Sequence, residues 1–479
     1  MWLLILATLS LAAFLLRRVL YPTYDPREPP VLRPKLPFFG HFWSMSRELL
    51  AYFERMYKTY HMPTCTLPVF TGKMYLINSP TLMAAAHRCP DLSWNTFIEK
   101  LSLNALGVSK KEVDKYKKPG YLQVELNVYY PSLTGEFLWE TATSSMKVVE
   151  DNLNGLALGG GTHVIHHVEM WLRDIISQVM VSGLYGEKNP MTLELLDDME
   201  FEKCKVSMIM GGWVQRLFTK KALAGRARIH AALSKYYLAR HDEGPTVSTF
   251  IKNRAAVKRE LGVSHVDLVA GESEAPWTSL MNTVPSLFWM FVNVWTRPDC
   301  VERIRAEMLE TTTVEGGAAL VDLQKLYKMP FIRGCVHEAQ RLYSKLCAIR
   351  RVARDTTLRE LAGGSISSRR DSMCSGSRQC RTWTRPSGGR TPPNSDPTDS
   401  STSLSLHMCP GRHLAVAELM GMVGGMALLF DVEGVVVPGV STLRGACSMV
   451  RPAWKSDAEA KVTLRRRKEW ENVELKFFA

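Results

Sequence analysis

A short run near the C-terminus, His407-Met408-Cys409-Pro410-Gly411-Arg412-His413-Leu414-Ala415, leads without a break into an apolar stretch through Leu419, Val423 and Leu428. Its spacing predicts a loop that becomes a buried helix, with Cys409 at the junction. Free amide groups and the positive dipole end at a helix start favour a thiolate over a thiol. Pro410 pre-sets a first-turn dihedral, and Gly411 lets a bulky group approach the backbone. A thiolate held in this way can serve as an axial ligand of haem iron, pushing electron density onto the metal. His407 and Arg412 stand where they could face haem propionates. Taken alone, the stretch reads equally as a structural cysteine at a helix start.

A second element upstream, Glu338-Ala339-Gln340-Arg341, sets an acid and a base at i and i+3 on one helical face, close enough to pair. Followed in the same chain by Cys409-Pro410-Gly411, it resembles the cytochrome P-450 superfamily. The resemblance implies a mainly α fold with a small β region. In it Glu338 and Arg341 would form a structural core pair, and Cys409 would be the axial ligand of haem b iron.

With 479 residues and 46% hydrophobic side chains, the chain can bury a large core. The formal net charge of +13 is spread over blocks such as Lys110-Lys111 and Arg465-Arg466-Arg467-Lys468. No single stripe suits nucleic acid; an anionic membrane surface or an acidic redox partner fits better. Cysteines are dispersed without CxxC spacing, which argues against a zinc site or disulfide framework and for a reducing compartment. Trp2 to Leu16 is free of charge and, continued through Tyr21, reaches about twenty residues, the length of a spanning helix. A cleaved signal peptide competes, but basic residues follow the run instead of preceding it. Residues 1–21 are therefore expected to be an uncleaved single-pass anchor. The prolines between 22 and 40 predict a stiff extended connector, similar to the hinge of microsomal members of the family. The resemblance implies a haem-thiolate catalytic domain over 41–479, at the endoplasmic reticulum and facing the cytosol.

Within that body, Met62 to Asn78 reads as two strands joined near Gly72, and the stretch after Pro80 as a helix. Leu133–Leu156, His166–Leu184 and Thr192–Tyr237 carry helical periodicity. Trp277–Trp295 is an apolar helix with Pro285 inside it and Asn282 one turn earlier. Beside the P-450 resemblance, this looks like the helix crossing the oxygen site. Its wording is similar to the branch holding sterol 7α- and 12α-hydroxylases, prostacyclin synthase and fungal relatives. An acid followed by threonine is usual there; this chain has Asn282 at the threonine-like place with Thr283 beside it. Arg350, on the strand-like Ala348–Asp355, is the expected propionate ligand, with Arg351 as the other choice.

Between Gly363 and Ser403 the chain is rich in Ser, Arg, Gly, Pro and Thr and poor in large apolar residues. Such composition reads as disordered. The family carries strands, a short helix and a Phe-x-x-Gly element here, whereas Thr402 and Ser405 occupy the Phe and Gly places. The abrupt loss through 363–406 and the return at His407 fit a segment translated out of frame or from unspliced message. Sequencing the reverse-transcribed message tests that reading, and an identical in-frame cDNA would rule it out. The Trp-x-x-x-Arg pair that many members carry on an early helix is not visible.

The resemblance implies oxidation of a lipophilic small molecule, in sterol, terpenoid or fungal secondary metabolism, with electrons from NADPH through a separate reductase. The alternatives are a haem-thiolate isomerase or dehydratase needing no reductase, and a catalytically dead relative. No nucleic-acid partner is expected.

Overall fold

Alternating apolar residues between Thr64 and Ile77 form a hairpin of β1 (Thr64–Val69) and β2 (Gly72–Ile77), in register from Thr64 opposite Ile77 to Val69 opposite Gly72. Both faces of β2 are covered. Tyr75 and Ile77 pack with Leu82, Ala86, Leu92, Val352 and Leu358, while Met74 and Leu76 pack with Tyr52, Met56, Cys65 and Leu67. The computed structural model describes residues 25–34, 41, 44–45, 50–69, 72–156, 161–200, 220–343, 347–359, 365–368, 373–377, 409–437 and 461–479. The described residues divide into two units. One holds 25–98 and 347–377; the other holds 99–343, 409–437 and 461–479.

The first unit is built on a five-stranded sheet. After β3 (Leu92–Ser93) come β4 (Cys347–Val352), β5 (Thr356–Arg359), β6 (Ser365–Ser368) and β7 (Met373–Ser377). The order is β1-β2-β7-β4-β3, with β7 parallel to β2 and antiparallel to β4; β5 and β6 make a separate antiparallel pair. Here the sequence expectation of disorder from Gly363 to Ser403 is corrected for 365–368 and 373–377. Composition measures what side chains can bury, but β7 gains main-chain hydrogen bonds on both edges regardless of its Ser and Gly content. The helix Pro80–Arg88 starts where Ser79 accepts the Leu82 N–H and Pro80 occupies the first turn. The described part of the proline-rich connector is extended along β1. Leu32 N donates to Thr66 O at 2.9 Å, and Thr66 N donates to Pro30 O at 2.8 Å.

The second unit is helical. Its main elements are α1 (Tyr121–Tyr129), α2 (Gly135–Gly155), α3 (Val168–Tyr185), α4 (Lys220–Leu238), α5 (Thr249–Glu260), α6 (His265–Glu272), α7 (Glu274–Trp295), α8 (Pro298–Thr311), α9 (Pro330–Tyr343) and α10 (Arg412–Leu429). Helix α7 packs on α3, α9 and α10, and α10 packs also on α2 and α8. Helix α10 is apolar and long enough to cross a membrane, yet it is buried along almost its whole length within the protein. Leu419, Val423 and Leu428 are fully buried, each contributing about 1.5–3 kcal/mol relative to exposure. Two small sheets close this unit. Phe430–Glu433, Val462–Arg466 and Thr162–Ile165 form one; Glu474–Phe478, Ala318–Asp322 and Thr312–Glu315 form the other.

The expected helix from Thr192 to Tyr237 is described as Leu193–Glu200 and α4, with 201–219 outside the described residues. The expected anchor at 1–21 also lies outside them, as does His407.

Candidate functional site

Cys409 sits three residues before the start of α10. The turn that joins them is fixed by the Arg412 N–H, which donates to Cys409 O at 3.4 Å, and by Arg412 Nη1, which donates to the same carbonyl at 3.1 Å. Ala415 N donates to Gly411 O at 3.0 Å and starts the helical ladder. The residue is exposed, but the surroundings of its sulfur decide its ionisation. Burial pushes the thiol up; the Gly411 N–H and the Arg412 charge pull it down, Glu274 adds to the rise, and the net shift is upward. The helix start was expected to supply a thiolate. Its donors are present, but desolvation outweighs them, so ionisation of this sulfur calls for a cation beside it.

Gly411 has φ −80°, which any residue can adopt, and an added Cβ would come no closer than 4.0 Å to Cys409 Sγ or Leu133 Cδ1. The polypeptide itself therefore does not demand glycine. What the missing side chain provides is bare backbone beside the sulfur, suited to a broad flat group. Among the described residues, no cluster of three His, Cys, Asp or Glu side chains could hold a bare metal ion. An iron on Cys409 would therefore take its remaining ligands from a macrocycle, and this donor set fits haem.

Two residues that sequence reasoning missed hold the first turn of α10. His413 is buried, and its Nδ1 shares a 2.6 Å hydrogen bond with the Tyr327 hydroxyl. The Tyr327 ring receives the edge of Trp139 at 5.4 Å and lies under the Arg333 guanidinium at 4.9 Å. Burial, with Arg412 and Arg333 nearby, lowers His413 to about 4. It is thus a neutral imidazole at neutral pH, able to bond without carrying charge into the helix start. Tyr130 is near enough to respond to this site: burial and Cys409 push its hydroxyl up, and Arg412 pulls it down.

Helix α7 carries Asn282, half-buried, and Thr283, buried, and runs unbroken through Pro285. Ser286 Oγ donates to Asn282 O at 2.6 Å, a side-chain bond one turn along at the proline. Lower down, Trp289 stacks on Tyr343 of α9 at 3.8 Å and 7°, and Asn293 Nδ2 donates to the Tyr343 hydroxyl at 3.1 Å. Helix α9 is thereby fixed against α7. On α9, Arg341 Nε and Nη2 donate to the two Glu338 oxygens at 2.7 and 2.6 Å. The fork forms as its i, i+3 spacing predicts, but the side chains are 39% and 38% exposed. A pair at that exposure contributes under about 1 kcal/mol.

Arg350 lies on β4 in the other unit. There its guanidinium is 5.2 Å above the Trp94 ring, Nη1 donates to Ile349 O at 3.0 Å, and Nη2 is 3.4 Å from His87 Nδ1.

At the start of α7 lies a buried ionic cluster. Arg254 Nε donates to Glu272 Oε2 at 3.0 Å, Arg254 Nη2 to Glu274 Oε2 at 3.2 Å, and Lys258 Nζ to Glu272 Oε1 at 2.5 Å. Burial pushes the Glu272 carboxyl up, but Arg254 and Lys258 overcome it and hold the group below its ordinary value. Arg254 also lies 4.3 Å above the Tyr129 ring. No sequence motif marks this cluster, because its members are distant in the chain and individually ordinary.

A profile of cytochrome P450 matches residues 241–362, ending just before the segment that departs from the family pattern. A cytochrome P450 monooxygenase of Gibberella zeae is 31% identical over 97% of this chain and 94% of its own length. Cytochrome P450 monooxygenase nodJ of Hypoxylon pulicicidum is 24% identical over 94% of this chain and 91% of its own. A 5-beta-cholestane-3-alpha,7-alpha-diol 12-alpha-hydroxylase of Sus scrofa is 22% identical over 90% and 92%.

Proposed function

The chain belongs to the cytochrome P450 family of monooxygenases, and from that premise we propose that it oxidises an unactivated C–H bond of a lipophilic small molecule. A sterol, terpenoid or fungal secondary metabolite is the substrate class. In support stand the fungal and sterol-hydroxylase relatives and the placing of Cys409 at the mouth of a buried apolar helix. That placing is the single observation that carries the reading.

The family implies haem with thiolate-ligated iron, and bound haem supplies the activation of dioxygen. Cys409 ligates the iron, and Arg412, Arg350 and His407 hold propionates. Tyr327 and His413 keep the first turn of α10 in place, so that the sulfur presents one geometry. Asn282 and Thr283 face the oxygen side, where an amide and a hydroxyl hold water and pass protons. Glu338 and Arg341 brace α9. Electrons come from NADPH through a separate reductase. Residues 1–21 anchor the protein in the endoplasmic reticulum by a single pass, with the catalytic part in the cytosol and residues 22–40 as its connector.

A second reading, a haem-thiolate isomerase or dehydratase, draws on Asn282 standing where an acid–threonine pair is usual, since rearrangement needs no proton relay. Carbon monoxide difference spectra on microsomes, with and without Cys409→Ala, test both. A Soret band at the thiolate position that vanishes in the variant is expected. No band in the wild type would select the catalytically dead alternative. Turnover without NADPH and reductase would select the isomerase.

A further inference from the structure

A groove of about 440 Å³ in the helical unit, distinct from the Cys409 region, is lined by four basic side chains and no acid. Lys188 comes from the short turn Gly186–Lys188 that follows α3, Arg228 and Lys235 from α4, and His241 from the turn His241–Glu243. All four are exposed. On α4 the lining positions are Arg228, Ala231, Ala232 and Lys235, the i, i+3, i+4, i+7 pattern of one helical face. Two alanines thus make a low floor with a cation at each end, roughly 10 Å apart along the axis.

The acids nearby in sequence are already engaged. Asp242 accepts Arg259 Nη1 at 2.6 Å and Nη2 at 3.0 Å, and Glu243 accepts Arg240 Nη1 at 2.8 Å. Among the described residues, neither Lys188 nor Lys235 has an acidic partner. Lys235 alone could be explained by the C-terminal end of the α4 dipole. Lys188 and Arg228 could not, because one lies in a turn of another segment and the other two turns back. The His241 ring is steadied by the buried Tyr236 at 5.9 Å, edge to face.

Gathering like charges from three segments costs energy in the free protein, and a multiply charged anion relieves that cost. We propose that this groove binds a ligand with two phosphate groups. One phosphate would not span the two ends of the floor, and a lone carboxylate would leave most of the positive charge unmet. A diphosphate offers acceptor oxygens both to the Arg228 fork and to the two lysine point charges. The source is either a free diphosphate-bearing metabolite or a doubly phosphorylated lipid headgroup.

The test is isothermal titration of the full-length protein in detergent with inorganic pyrophosphate at fixed ionic strength. Sulfate serves as competitor, and binding to phosphatidylcholine vesicles with and without phosphatidylinositol 4,5-bisphosphate is measured in parallel. Saturable one-to-one binding of pyrophosphate is expected, at least tenfold weaker in K188Q/K235Q and unchanged in the control K110Q/K111Q. Vesicle binding that depends on the bisphosphate and on Lys188 and Lys235, without pyrophosphate binding, assigns the same groove to the headgroup. Equal affinity for sulfate, equal loss in the control pair, or no Lys188/Lys235-dependent binding in either arm overturns the proposal. Both variants change exposed side chains away from Cys409, so an unaltered Soret spectrum and circular dichroism report an intact fold.

Discussion

The cysteine at the head of α10 is set by its neighbours as much as by its own chemistry. Gly411 gives the sharpest test, because the polypeptide leaves room for a methyl there while a flat group beside the sulfur would not. Gly411→Ala should leave the thermal stability of the haem-depleted chain within about 0.5 kcal/mol of the original. It should lower haem content measured by pyridine haemochrome after expression. Tyr327→Phe removes a buried hydroxyl from His413 Nδ1 and should cost about 0.5–1.5 kcal/mol in urea unfolding, with a broadened Soret band as α10 loses its tether. Cys409 and Gly411 were legible in the sequence because the chemistry needs those residue types at a fixed local spacing. Tyr327, Tyr130 and the role of His413 were not, since a partner 86 residues away leaves no local pattern.

Helices here owe their placing to a few contacts that bind one to another. At the corner where α6 meets α7, Glu272 is fully buried between Arg254 and Lys258. Glu272→Gln leaves two buried cations under-paired and should cost about 3–5 kcal/mol, whereas a double replacement of Arg254 and Glu272 by Met and Leu should recover much of that loss. Chemical denaturation of the single and double variants reads out the cycle. On α10, a Cβ at Gly424 would run into Met308 Sδ of α8. Gly424→Ala should therefore destabilise by about 1–3 kcal/mol although alanine is the better helix former. Helical periodicity made α2, α3, α7 and α10 readable from the sequence, and alternation did the same for β1 and β2. Strands β6 and β7 escaped it. Their pairing rests on the main chain, which composition does not record.

For the molecule as a whole, one acid sets a pH dependence. Glu418 is fully buried on α10, and Ser145 of α2 approaches without completing a hydrogen bond to either carboxyl oxygen. Burial raises the group from 4.5 to about 8, with Ser145 offsetting only part of the rise. The folded state therefore keeps a proton that the unfolded chain releases, and stability falls as pH rises between those two values. The slope is about 1.4 kcal/mol per pH unit at most. Glu418→Gln should flatten the stability profile between pH 6 and 8, as followed by guanidinium unfolding. A hydropathy reading of the whole chain marks two runs of membrane-spanning character, the N-terminal stretch and α10. Only packing shows that α10 is enclosed by α2, α7 and α8. The raised thiol of Cys409 has a consequence for the newborn protein. Electrophiles and peroxides attack the sulfur anion far faster than the protonated form. A chain leaving the ribosome thus carries its one essential sulfur in a chemically quiet state, and that sulfur becomes a strong donor only on meeting its iron.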